Sequence, residues 1–157
     1  MSKISELAEN YRSGAAALRA AVAGMTPDQL RARPIPGRWS TLEVVAHIAD
    51  FEPVFADRIQ RILALDTPTL LAADENLFVQ RLHYHDRDLE EELAVVDAIR
   101  HKIARLISHL EPGDLQRLGT HSLKGPLTLE AIISSASQHI PHHLPFIAEK
   151  RRALGIG

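Results

Sequence analysis

Four stretches of this chain repeat apolar residues three and four apart, and no stretch alternates apolar with polar residues over strand length. Such a chain asks for helices that each bury one face, and nothing in it asks for a sheet. The first stretch runs from about Ile4 to Val22, with Leu7, Tyr11, Leu18 and Val22 on one stripe among alanines. The second runs from Ser40 to about Leu65 through Val44, Ile48, Phe51, Phe55, Ile59 and Ile62. The third carries Leu89, Leu93, Val96, Ile99, Ile103, Leu106 and Leu110 and stops at Pro112-Gly113. The fourth begins near Thr128 and finishes at Gly155.

The helix starts are legible from their capping chemistry. Ser40 followed by Glu43 fits a capping box, and Trp39 with Val44 supplies the accompanying hydrophobic staple. Asp88 with Glu91 marks a second capped start, and Lys150-Arg151-Arg152 suits the carbonyl end of the last helix. Thr26 to Leu30 reads as one capped turn with Pro27 at its first position. Arg33-Pro34-Ile35-Pro36-Gly37 is a connector, and Pro53 is expected to bend the second helix. Asp66 to Arg87 holds no sustained period, only a short helix around Leu77-Phe78-Val79. So long a connection argues against four helices joined by short hairpins. The expectation is an all-α four-helix bundle forming a single domain over residues 1–157.

The formal charge of −2 gives no electrostatic reason to expect nucleic acid or an anionic membrane as partner. No apolar run reaches the length of a membrane span, and the first residues do not form a secretory signal. The absence of cysteine removes disulfides and thiolate ligands, leaving histidine, carboxylate and water for any metal, with the cytoplasm as default compartment.

Three of the nine histidines fall within Gln138-His139-Ile140-Pro141-His142-His143-Leu144-Pro145. His139 and His143 are one helical turn apart on one face, the spacing at which two imidazoles share a divalent cation. His47, beside Phe51 and Val54 on the margin of its own stripe, supplies a third ligand. His142 lies about 100° round the helix from His143 and points to the edge. Pro141 and Pro145 stand inside the helix, each at a cost of about 3 kcal/mol, and such breaks cluster at functional sites.

Three histidines leave positions open on a divalent ion, as catalytic sites do. Glu43, one turn before His47, is placed to orient a ligand or accept a proton, although its capping role already explains it. Asp50, one turn after His47, is a candidate to support that ring. Arg100 at the edge of its stripe either snorkels to solvent or anchors an anionic substrate group. His121 and His142 are candidates to line the site; His83 and His85 read as surface residues, and His101 and His109 as solvated.

Gly37-Arg38-Trp39-Ser40-Thr41-Leu42-Glu43-Val44-Val45-Ala46-His47-Ile48-Ala49-Asp50 resembles the second-helix signature of the DinB/YfiT-like superfamily. His139-Ile140-Pro141-His142-His143, with Phe146-Ile147 following, resembles its fourth-helix histidine motif, and Arg87 to Glu91 and His121 to Thr128 match more loosely. The resemblance implies a bundle of up-down-down-up connectivity and a metal held by His47, His139 and His143. It also implies enzymology of the family's kinds: thiol-dependent transfer, isomerisation or hydrolysis. Pro141 and Pro145 depart from the family pattern.

The combined expectation is a metal-dependent enzyme acting on a small molecule, by hydrolysis or by transfer of a low-molecular-weight thiol. The alternative is a metal-binding or dimerising module without catalysis. Zinc, nickel and iron all accept three imidazoles. The expected partner is a small-molecule substrate, with a homodimer compatible and neither nucleic acid nor membrane involved.

Overall fold

Each apolar stripe becomes a helix in the computed structural model, which describes residues 1–157. The long helices are α1 (Lys3–Val22), α3 (Thr41–Ala64), α5 (Leu89–Ser108) and α6 (Leu129–Ala153). The capped turn is α2 (Pro27–Arg31), and α4 (Glu75–Arg81) interrupts the long connector between α3 and α5. The Ser40 side chain accepts from the Glu43 backbone N–H while the Glu43 carboxylate accepts from that of Ser40, so the capping box is complete. Thr128 caps α6 and Asp88 caps α5 by the same kind of bond. Both α3 and α6 run unbroken past their internal prolines, Pro53 in one and Pro141 and Pro145 in the other. No helix is long and apolar enough to cross a membrane.

The chain does hold a small sheet, which the missing alternation had argued against. Strands β1 (Thr69–Leu70), β2 (Leu118–His121) and β3 (Gly125–Thr128) lie in that order, the first pair parallel and the second antiparallel. None is long enough to show a two-residue period, and β2 and β3 contain Gly119 and Pro126, residues poor in strand propensity. Packing decides instead. A Cβ on Gly119 would stand 2.8 Å from Leu70 and 2.9 Å from Ile62, so only glycine lets β2 lie this close to α3.

The core divides into two halves that reveal the helix directions. One half joins Ala8 and Tyr11, Ile59 and Ile62, Ile103 and Ile107, and Leu129 to Ala136. The other joins Leu18 and Val22, Leu42 to Ala49, Leu93 and Val96, and Ile140 and Ile147. Hence α1 and α6 run one way and α3 and α5 the other, an up-down-down-up bundle. Helices α5 and α6 each pack against both α1 and α3, which places α1 and α3 on a diagonal. The long α3–α5 connector is needed because those two helices run parallel.

Arg100 corrects the sequence-based expectation, because it neither snorkels nor faces a ligand. It is fully buried and paired with equally buried Glu52 at 2.7 Å. Its remaining donors reach the backbone carbonyls of Tyr11 and Ala136, both at 2.8 Å. One guanidinium thus ties α1, α3, α5 and α6 together. A Cβ on Gly14 would lie 2.6 Å from its Nη1, so α1 carries glycine where the cation passes. Burial raises the Glu52 carboxyl above the usual range, against the opposing pull of Arg100.

Candidate metal centre

Helices α3 and α6 bring His47, His139 and His143 together, with one ring nitrogen from each within 4.8 Å of the others. The Nε2 atoms of His47 and His139 are 2.9 Å apart. His47 and His143 are buried, while His139 is partly exposed and forms the accessible side of the cluster. Aromatic rings pack around them. Trp39 lies 5.2 Å and Phe51 4.6 Å from the His47 ring, and Phe55 5.4 Å from that of His139.

Burial in these surroundings disfavours the imidazolium forms. It brings His47 down to about 4, with a further contribution from His143. His143 falls to about 4 through burial and then the charges of His142 and Lys150. His139 falls to about 2, again through burial first and the two other rings next. At neutral pH all three are therefore neutral and able to ligate. The Nδ1 atom of each is buried without a protein partner, so apart from the contact between the Nε2 atoms of His47 and His139 the rings belong to no protein hydrogen-bond network. Two nitrogens sharing one tetrahedral zinc ion at about 2.1 Å stand roughly 3.4 Å apart, between the 2.9 Å of the His47–His139 pair and the 4.8 Å that bounds the cluster. The three residues fit a divalent cation.

A carboxylate completes the arrangement from an unexpected direction. Glu75, the first residue of α4, places Oε2 3.8 Å from His47 Nε2. Phe78, one turn on, packs on Phe51 at 5.3 Å and holds α4 over the site. The long connector thus roofs the cluster. No spacing relates Glu75 to the histidines; its place at the start of the short helix around Leu77-Phe78-Val79 was the one available signal.

The carboxylates chosen from spacing have other partners. Glu43 accepts from the Ser40 backbone at 2.7 Å and pairs with Arg33, with His85 Nε2 at 3.4 Å. Burial pushes its carboxyl up, but the Arg33 and Ser40 bonds leave it below the usual range. Asp50 is held by a two-pronged pair with Arg87, at 3.0 and 3.1 Å. Its negative charge acts on His47 at a distance, without a hydrogen bond to that ring.

His142 is exposed and lies edge-on to Phe146 and His143, outside the cluster. His121 is buried at the end of β2 and lines a cavity beside His139. His85 is not a free surface residue, since its Nε2 lies 2.8 Å from Ser40 Oγ. Arg100 stays in the core, its donors occupied there.

A model of the DinB superfamily matches residues 10–147 of the chain. A presumed metal-dependent hydrolase of Geobacillus thermodenitrificans is 27% identical over 140 residues, covering 88% of this chain and 79% of that protein. YfiT of Bacillus subtilis, also a presumed metal-dependent hydrolase, is 28% identical over 141 residues, covering 89% and 79%. The solved structure of Bacillus subtilis YfiT, described as having an unusual four-helix bundle topology, matches with a TM-score of 0.91. That match has 26% identity and covers 100% of this chain and 91% of the other.

Proposed function

Because the chain belongs to the DinB superfamily, we propose that it is a metal-dependent hydrolase of a small molecule, with His47, His139 and His143 as ligands. The observation that carries this reading is the convergence of three neutral imidazoles beside an exposed carboxylate, Glu75, on a side left open at His139. A divalent cation held there supplies Lewis-acid polarisation of a carbonyl and lowers the pKa of a bound water.

The chain's own residues do the rest. Burial keeps the ring lone pairs available throughout the neutral range. Glu75 takes the proton of the attacking water at Oε2, and its half-exposed position lets that proton pass to solvent. Phe51 and Phe55 present an apolar wall that limits competing water. A thiolate would also suit three imidazoles, but no side chain around the centre singles out thiol transfer.

The test is elemental analysis of the protein purified without chelator, followed by assay against a panel of small esters, amides and lactones. One equivalent of metal and hydrolysis lost in His47→Ala are expected. A stoichiometrically metal-free protein, or hydrolysis indifferent to that substitution, overturns the reading.

A further inference from the structure

A cavity of about 300 Å³ adjoins the histidine cluster, and His139 forms part of its wall. Phe51, Phe55, Leu127 and Ile132 supply apolar surface, while Arg58, His121 and Lys124 stand in the same lining. The charges are separated along it. Glu75, the only acid in the wall, lies at the end where its Oε2 approaches His47. Arg58 lies eleven residues beyond His47 on α3, about 16 Å along the helix axis, past Phe51 and Phe55.

Arg58 is held in place but has no acidic partner. Its Nη2 donates to the Leu71 carbonyl at 2.8 Å, and its guanidinium lies 5.9 Å from the Phe55 ring centre. Its Nε is buried and unpartnered, which costs free energy unless an acceptor arrives. The neighbouring acid, Asp57, is engaged by Arg61 at 2.7 Å. His121 is oriented too. Its Nδ1 accepts from the backbone N–H groups of Leu123 and Lys124, both at 3.2 Å, so the ring proton is on Nε2 and is left to donate. Lys124 sits on the exposed turn between β2 and β3, at the mouth.

We propose that this cavity is a substrate pocket for a small apolar molecule bearing a carboxylate remote from its reacting group. The carboxylate is received by Arg58 and Lys124, with His121 as a neutral donor. The apolar body lies on Phe51 and Phe55, and the scissile group reaches the histidine cluster at His139. A planar guanidinium matches a carboxylate in geometry, and one monoanion offsets the single positive charge left when Glu75 is set against Arg58 and Lys124. This inference rests on the reading of the three histidines as an open metal centre.

The test separates the two. Octanohydroxamic acid and suberic acid monohydroxamate have equal chain lengths and the same metal-chelating head, and only the second carries a terminal carboxylate. Their binding to the purified protein, its metal content measured, is followed by titration calorimetry. The carboxylate compound is expected to bind at least tenfold more tightly. That advantage should shrink to less than threefold in Arg58→Met and in Lys124→Met, with octanohydroxamate affinity and metal content unchanged. Lys124 lies on an exposed turn, so its variant keeps the test valid even if Arg58→Met folds poorly. Equal binding of the two compounds by the wild-type protein overturns the carboxylate pocket and leaves the metal reading standing. Tighter binding of the corresponding terminal phosphonate overturns the choice of carboxylate. Failure of both hydroxamates to bind metal-loaded protein overturns the open metal centre and this inference with it.

Discussion

His142 and His143 are adjacent in sequence and opposite in circumstance, one exposed and one buried in the cluster. His143→Ala is therefore expected to lose most bound metal and His142→Ala to keep it, as measured by metal content after gel filtration. Equal loss would mean that the exposed ring takes part. Glu75 has a different role in the proposed chemistry. It accepts a proton and does not ligate, so Glu75→Gln should retain metal while hydrolysis falls by about 10²–10⁴-fold. Loss of metal in that variant would make Glu75 a ligand instead.

At the level of elements, the start of α3 and the crossing of four helices at Arg100 are the two vulnerable joints. Ser40 Oγ accepts from the Glu43 backbone at 3.1 Å and also meets His85, so it couples the α3 cap to the segment entering α5. Ser40→Ala should cost about 1–2 kcal/mol in urea unfolding, at the upper end for a lost cap because the His85 bond goes as well. A shift near zero would show that another acceptor replaces the hydroxyl.

Breaking the buried pair is a larger matter. Arg100→Met leaves Glu52 without its cation and frees carbonyls on α1 and α6, for a loss of about 3–5 kcal/mol. Replacing both partners, as in Glu52→Leu with Arg100→Met, should recover part of that loss, because no uncompensated charge remains. A double variant no more stable than Arg100→Met alone would show that the unpaired Glu52 charge is not the source of the loss.

Over the whole molecule, two apolar clusters of 14 buried residues each lie on either side of the Arg100 tie and do not depend on a metal. His47→Ala should therefore stay helical and unfold cooperatively while losing metal, as circular dichroism and melting will show. Metal should raise stability only through its binding free energy. An unfolded metal-free protein would make the centre a structural clip.

Acid dependence follows from the buried rings. His47 and His143 stand at about 4 in the folded protein, against about 6.5 for an ordinary imidazole. Above that value neither folded nor unfolded chain binds a proton there, so the rings contribute no slope. Between about 6.5 and 4 the unfolded chain binds protons that the folded one does not. Stability of the metal-free protein therefore falls as pH falls, by on the order of 1 kcal/mol per unit per ring. Raised carboxyls at Glu52 and Glu92 act in the opposite sense, so comparison with His47→Gln isolates the imidazole contribution. Parallel stability curves for the two proteins between pH 7 and 5 would refute it.

What the sequence determined by itself was everything governed by local spacing. Apolar residues three and four apart specify α1, α3, α5 and α6, and Ser40 with Glu43, Asp88 and Thr128 specify where three of them begin. The same angular rule placed His139 and His143 on one face and His142 off it, because a helix fixes the direction of each side chain relative to its neighbours. Tertiary structure alone decided which separate segments meet. Glu75 reaches His47 across 28 residues through a short helix with no period of its own. The strands form because Gly119 permits a close approach to α3, a fact about packing distance rather than propensity. Arg100 lies in the core because Glu52 lies there too, and an arginine at the edge of a stripe looks alike in sequence whether its partner is water or a buried acid. Periodicity reports which face a residue occupies; what waits opposite that face is settled only when the helices pack.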